Sequence, residues 1–518
     1  MNDRPGQYQS HNGTFNLKMT HVLSPSIFYE LSAGLVRSDY REQDAVMGDD
    51  FWSYGDSVAN AAAGYVWSRS PQDLARSYKG RFAAPRQITI YDWRFNRTGA
   101  VNATYQKQDY NSLSFSGALN WLPSKYHTIK LGGEYQNWTF RDYRPARSIG
   151  YTTIAQRVYN NSQPANNPKN LTLDQIRTDV LRNGGASIYG YDYFGNKYDG
   201  TDDKFHAARK PVFASAYLQD KIEYEDIILN VGLRYDYIDI NNLQMNDPTR
   251  PDLSINKADN SLIDNGWVKV PTFSAVSPRI GISFPVTDRT VFHAQYGKFV
   301  QQPDLNETYT GYDYYAYQLT TGFFFSNQVG LGLRPTKTTS YELGFSQQIA
   351  DFMSFDITAY YKDIKDLIQM VPQAVDIASG YTNYYNRANV DFATTRGVEI
   401  AINMRRFQRI SINGSMSFQD AKGTGSYPAS NRGIVGAPVV AGQPYTPKNI
   451  SPLEFDRSFM TNLNLDYRFG DNDGPSVLHN FGVNVLFIFQ TGRPFTRAIG
   501  NPSQVGLSRN LSGDARFR

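Results

Sequence analysis

Two stretches of this chain hold the residues best suited to chemistry. The first, "YDYFGNKYDGTDDK", gathers Asp192, Asp199, Asp202 and Asp203 in one polar run. Carboxylates so grouped offer the hard oxygen ligands that calcium takes, but the run lacks the closing bidentate Glu of a helix–loop–helix calcium site. It reads equally well as a solvated loop, and no metal is assigned to it. The second, "LNETYTGYDYYAYQLTTGFFFSNQ" at 305–328, is dense in tyrosine. Tyr309, Tyr312, Tyr314, Tyr315 and Tyr317 are candidates to stack on a sugar or peptide ligand. The alternative is that the rings pack on one another between loops. No Gly-x-Ser-x-Gly, His-Glu-x-x-His or phosphate-loop pattern occurs, and the six His are scattered. The chain is therefore expected to be no enzyme, with no catalytic residue and no cofactor.

The elements that position these loops show in "TTSYELGFSQQIADFMSFDITAYYKDIKDLIQ". Tyr341, Leu343 and Phe345 alternate with Glu342, Gly344 and Ser346. After a short break, Met353, Phe355, Ile357, Ala359 and Tyr361 alternate with Ser354, Asp356, Thr358, Tyr360 and Lys362. A period of two marks strands with two different faces, and two strands about a short break make a hairpin. The pattern recurs along the chain. Predicted pairs are 14–23 with 26–40, 111–122 with 126–143, 210–223 with 226–240, 276–285 with 290–301, 338–349 with 353–368, 394–406 with 410–420, and 456–469 with 480–492. Residues 86–110 hold either an extra strand or loop.

Within pairs the breaks are short ("SPS" at 24–26, "PSK" at 123–125, "YED" at 224–226, "VTDR" at 286–289, "ADF" at 350–352). Between pairs the connections are predicted to be long throughout. Soluble sandwiches have no reason for that alternation, whereas outer-membrane barrels have short turns on one side and long loops on the other. The long loops carry predicted helices of their own. Thr172 with Gln175 reads as a capping box, with Leu173, Ile176, Val180 and Leu181 on one face and Gly184 as the stop; Ser70 and Pro71 open a second helix.

Composition agrees. The mean hydropathy of the 518 residues is −0.51 and no window is apolar enough for a spanning helix, yet a membrane barrel needs only every second residue apolar. Tyr (37) and Phe (31) are abundant, as suits a boundary between lipid and water. With 52 basic and 48 acidic residues the charge is mixed, and no basic block points to nucleic acid. Cys is absent, which removes disulfides and thiolate metal sites. The opening "MNDRPGQYQSHNG" has no signal-peptide pattern and the closing "GLSRNLSGDARFR" reads as loop, so both ends are expected to be internal to a longer protein.

The faces follow from the alternation. Phe355, Ile357, Leu229, Val231, Ile400 and Leu465 are expected to face lipid, with Tyr235, Tyr361 and Tyr467 as interfacial aromatics. Arg234, Asp236, Arg279, Glu342, Asp356, Glu399, Asp466 and Arg468 are expected to line a lumen, because a basic side chain facing mid-bilayer costs about 2–4 kcal/mol. Leu486 and Ile488 break the pattern by falling on the lumen side.

Five segments then carry a resemblance: "ASAYLQDKIEYEDIILNVGLRYDY" (214–237), "SPRIGISFPVTDRTVFHAQYGKFVQQP" (277–303), "PTKTTSYELGFSQQI" (335–349), "TTRGVEIAI" (394–402) and "TGRPFT" (491–496). In that order they resemble the barrel of TonB-dependent outer-membrane receptors, most closely Oar-like transporters and more distantly SusC-like ones. The resemblance covers nearly the whole chain, 1–518. It implies an all-β, antiparallel transmembrane β-barrel in which the fourteen or so strands seen here belong to a set of 22, with long extracellular loops. It also implies a Gram-negative outer membrane, of Bacteroidota, and a plug and Ton box that recruit a TonB-type energy-coupling protein. The plug, the N-terminal domain and the last strands are expected to lie outside this chain, and the extracellular ligand is unknown. A passive channel of about fourteen strands and a surface-binding or adhesion protein are the alternatives.

Overall fold

The computed structural model describes residues 4, 6–68, 80–85, 104–200, 202–322, 329–430 and 450–495, parts of 88–101, and the pair 498–499 with 509–510. Fourteen long strands follow one another in a single antiparallel path, each hydrogen-bonded to the next in sequence. They are β1 (Gly6–Ser24), β2 (Ile27–Asp44), β3 (Gln106–Ser124), β4 (His127–Arg144), β5 (Val212–Tyr224), β6 (Ile227–Asp239) and β7 (Phe273–Thr287). Then come β8 (Thr290–Gln301), β9 (Thr336–Ala350), β10 (Met353–Gln373), β11 (Tyr384–Phe407), β12 (Ile410–Gly423), β13 (Phe459–Arg468) and β14 (Gly482–Gln490). All seven predicted hairpins form, and among the described residues no ladder joins β1 to β14.

Six hairpins turn over two residues, at Pro25–Ser26, Lys125–Tyr126, Glu225–Asp226, Asp288–Arg289, Asp351–Phe352 and Gln408–Arg409. Glu225 and Gln408 take the left-handed conformation (φ 53° and 55°) at the first position of their turns. An up-and-down path puts all these turns at one end of the wall.

Two connections depart from the expected alternation. β13 and β14 are joined over 469–481, longer than the other turns at that end. A paired clip explains it: the Arg409 guanidinium donates to both Asp473 oxygens at 2.7 and 2.6 Å. Conversely, β10 and β11 run to 21 and 24 residues, so their connection shrinks to 374–383. Alternation there is broken by a bulge at Asp366 (φ 63°), and a period-two reading stops short of such a bulge. Ile88–Ile90 pairs antiparallel with Trp93–Phe95, while 106–110 already belongs to β3.

Register extends the alternation across the wall. Phe284, Phe292, Phe345, Ile357, Ile400 and Met416 lie side by side on six adjacent strands. The next rows on the same face hold Leu343 and Val231, which are 56% and 40% exposed. So broad an exposed apolar band needs lipid or a partner to cover it. Tyr235, Tyr361 and Tyr467 lie on this face, and Tyr296, Tyr341 and Tyr361 form a contiguous row with ring centroids 5.2 and 6.2 Å apart. Toward the long connections this face also carries Asp39, Asp109, Asp239, Asp363 and Asp420, and toward the turns one carboxylate stands in it. Asp220, opposite Ile129 and Val231, accepts from or shares a proton with His127 Nδ1 at 2.7 Å, near the two-residue turns.

On the other face Gly281, Gln295, Glu342, Tyr360, Gly397 and Gln419 form an equivalent polar row. Leu486 and Ile488 do stand on this polar face, opposite Asn464 and Asn462. β14 is thus apolar on both sides.

Candidate functional site

Two features stand out as sites: the polar face of the wall, and the roof built by the long connections.

All eight charges expected in a lumen share the polar face. Several satisfy one another. Arg234 donates to Asp236 at 2.8 Å and to Glu134 at 2.7 Å. Asp466 accepts from Arg406 and, at 3.4 Å, from Arg468. Arg279 lies 4.7 Å over the Phe299 ring, Glu342 accepts from Ser340 at 3.1 Å, and Asp356 accepts from Ser346. Around Arg234, Arg279 and Glu342 the face is hollowed by about 490 Å³, with Lys130, Tyr217 and His293 completing the lining. Glycines make the hollow: Gly232, Gly281 and Gly297 present no side chain on three adjacent strands. Glu134, Lys130 and His293 were not among the predicted lining residues, although each sits at a polar position of an alternating run and was therefore legible.

The roof forms because the loops are themselves amphipathic. α1 (Ser57–Ala62), α2 (Tyr151–Ser162), α3 (Leu173–Arg182) and α4 (Tyr312–Thr321) lie in the long connections. The capping box at Thr172 and Gln175 is present in full. Ile176, Val180 and Leu181 are buried as expected, but Leu173 points outward, since it sits in the first turn beyond the reach of the core. The helix expected to open at Ser70 and Pro71 lies outside the described residues. One cluster joins α2, α3 and the segment Ser187–Tyr189 to Phe51, Tyr54, Tyr105 and Tyr143. A second joins α4 to Phe205, Met245, Ile255, Trp267 and Tyr384.

α4 contains four of the five candidate stacking tyrosines. Tyr309, Tyr312, Tyr314 and Tyr315 are buried, and only Tyr317 is partly open. Tyr312 donates to Asn242 Oδ1 at 2.7 Å and its ring packs edge-on against Trp267. Tyr309 donates to the Ile240 carbonyl. A helix that is aromatic on nearly every side fits only where protein surrounds it. Gly311, its N-cap, lies so close to the Ser187–Ile188 backbone that a Cβ would sit 2.3 Å from the Ile188 nitrogen. Gly311→Ala is accordingly expected to loosen the roof by about 1–3 kcal/mol. Limited proteolysis should show faster cleavage in 145–211 and 302–335, with the strand wall still intact.

A buried polar knot ties the two clusters. His206 Nδ1 meets Asp203 at 2.7 Å and its Nε2 meets Asp313, in the first turn of α4, at 3.0 Å. Tyr193 donates to the same Asp313 oxygen at 2.8 Å. Burial alone would push the imidazole down, but the Asp313 and Asp203 carboxylates reverse this and hold it up at about 10. Burial raises Asp203 as well, yet its bond to His206 leaves it below the ordinary carboxylate range. The other acidic residues of that run also have protein partners. Asp192 accepts from the Phe194 and Asn196 amides, both at 2.9 Å, Asp199 from Arg141 at 2.5 Å, and Asp202 from Tyr198 at 2.5 Å. Among the described residues no acidic or His group is arranged to hold a metal ion.

The architecture thus defines a class: a membrane-spanning wall of antiparallel strands, lipid-facing on one side and polar on the other, with a folded roof at one end. The comparisons agree. Residues 38–513 match the family model described as TonB dependent receptor-like, beta-barrel, and the chain belongs to that family of outer-membrane barrels. No curated protein matches the chain in sequence. Among solved structures, the outer membrane transporter YddB from Escherichia coli is similar at 14% identity and TM-score 0.52, over 96% of this chain and 53% of that one. The siderophore receptor PirA from Acinetobacter baumannii is similar at 14% identity and TM-score 0.46, over 93% and 50%. The alcaligin receptor FauA from Bordetella pertussis is similar at 12% identity and TM-score 0.45, over 94% and 55%. The chain spans about half the length of these solved proteins.

Proposed function

We propose that this chain is part of the wall and roof of a TonB-dependent transporter that moves a bulky ligand across the outer membrane. The observation that carries the reading is the combination of one lipid face, one hollowed polar face and long connections gathered into an ordered roof at a single end. In this reading the polar face lines the lumen, and its eight charges face a plug supplied by the rest of the protein. Energy comes from a TonB-type coupling protein acting through a Ton box in that same remainder. Ligand contact falls on the open surface of the roof, with Tyr317 in reach and the other four tyrosines holding α4 in place. The finer assignment to Oar-like transporters of Bacteroidota rests on the likeness of the five sequence segments alone.

A passive channel is the second reading, because fourteen is an even strand number that a closed barrel permits. The ordered roof also suits a surface-binding protein. Planar-bilayer recording separates the first two. Unpaired edges do not persist in lipid, since each exposed backbone group costs several kcal/mol. The refolded chain is therefore expected to give no stable conductance, with insertion recovered in the full-length protein. Uniform conductance steps from this chain alone would establish the passive channel instead.

A further inference from the structure

The lipid face of β1–β4 has a depression that a smooth barrel wall does not need. It is an apolar groove of about 600 Å³. Gly117 and Gly133 form its floor, on adjacent strands and directly opposite each other, with Leu31 level with them. Ala33, Phe115 and Tyr135 sit one row further toward the roof, so large rings stand over a floor that only the Leu31 side chain enters, its Cδ2 3.1 Å from where a Gly117 Cβ would lie. The face is the one that meets hydrocarbon, which restricts the occupant of the groove to an apolar chain.

Further toward the roof on the same face stands Arg37. Its register partner is Asn111, and Asn111 in turn opposes Thr139, so a guanidinium, an amide and a hydroxyl lie in one row across three strands. The amide also donates to Asp109 at 2.5 Å, and the next row holds Asp39 and Asp109, themselves paired with His11 and with Arg141 and Lys197. Arg37 is exposed and has no ion pair or hydrogen bond among the described residues. The other arginines on the outward face of the wall strands are paired: Arg41 with Asp49, Arg141 with Asp199 at 2.5 Å, and Arg396 with Asp420 at 3.0 Å. Four residues separate Ala33 from Arg37, about 13 Å along a strand, within the roughly 15 Å of hydrocarbon in one leaflet. A free guanidinium at the edge of an apolar band is matched in charge and geometry by a phosphate oxygen pair.

The geometry points to a bound lipid: a phosphorylated lipid of the outer leaflet lies with an acyl chain in the groove over Gly117 and Gly133 and its phosphate on Arg37, beside Asn111 and Thr139. Only the orientation of the wall is taken from the proposed function. The site is on the outside of the barrel, away from the lumen and from any transported ligand.

The test uses the full-length protein in a non-ionic detergent, with lipid A, dephosphorylated lipid A and inorganic phosphate as probes, read by native mass spectrometry. Lipid A is expected to remain bound to the unaltered protein. Arg37→Gln is expected to weaken retention on the order of tenfold, the worth of a charge-assisted hydrogen bond. Gly117→Leu, which fills the groove, is expected to do the same. If Gly117→Leu fails to assemble, as judged by heat-modifiable migration, Ala33→Leu narrows the same groove from its upper lip. Arg396→Gln, at a paired site on the same face, is expected to change nothing. Equal retention by Arg37→Gln would overturn the proposal. So would equal loss with Arg396→Gln, which would mark a general effect of surface charge. Displacement of the lipid by inorganic phosphate, or equal binding of the dephosphorylated form, would overturn it too.

Discussion

Replacing Ile357 by arginine is expected to impair assembly of the wall by about 2–4 kcal/mol, the cost of a basic side chain near mid-bilayer. Ile357 lies between Phe345 and Ile400 in the middle of the apolar row, with no carboxylate beside it in register. Its neighbour Thr358 is the internal control. It faces the opposite way, between Gly344 and Glu399, so an arginine there meets the His293 ring over Gly344 on one side and a carboxylate on the other. Heat-modifiable migration after refolding into detergent or vesicles measures both. Ile357→Arg should give mostly unassembled protein and Thr358→Arg should behave as the unaltered chain. Equal tolerance at the two positions would mean that the faces are assigned the wrong way round or that neither meets lipid.

The second large effect belongs to the roof. His206→Leu removes the cation between Asp203 and Asp313 and leaves Asp313, 2% exposed, with only the Tyr193 hydroxyl. Stranding a buried charge in this way costs about 3–5 kcal/mol. Hydrogen exchange at α4 and Ser187–Tyr189 should rise accordingly, while exchange in the wall strands stays unchanged. The pH dependence gives a second readout. His206 is held up at about 10 from an ordinary value of 6.5, so its contribution is complete below 6.5 and is lost as pH climbs toward 10. Asp203 is held below 3.8, so its share is complete above that value and fades as pH falls beneath it. Roof protection should therefore be flat between about 4 and 6.5 and decline on either side. In His206→Leu the alkaline decline should vanish. An unaltered alkaline slope in that variant would remove His206 from the account.

The wall was legible in the sequence because lipid enforces a strict code. Each strand must show an apolar residue at every second position, and Leu229, Ile357, Ile400 and Leu465 all obey. Where the code lapses, the reading lapsed with it. The outer parts of β10 and β11 stand beyond the apolar band, carry a bulge at Asp366 and so have no period to follow. The roof was only partly legible. The capping box of α3 is a local signal between neighbours in sequence and was found. The bonds of His206 to Asp313 and of Tyr312 to Asn242 join residues from different loops, and nothing in local spacing announces them. The tyrosines of 305–328 showed that rings mattered there, but whether a ring faces a ligand or a protein core depends on those distant partners.

Asp220 has a consequence for the membrane itself. Its carboxylate, held by His127, sits four residues from the end of β5, where the equivalent stretch of β10 is apolar from Met353 to Tyr361. Headgroups and water must rise to meet that charge, so the bilayer is thinned beside β4 and β5 relative to β9 and β10. Mismatch of this kind costs fractions of a kcal/mol per ångström, small for one protein but felt by every neighbour that drifts past. The described wall is thus not the same along its width. Thin-spanning proteins and short-chain lipids are expected to gather at that stretch of the wall.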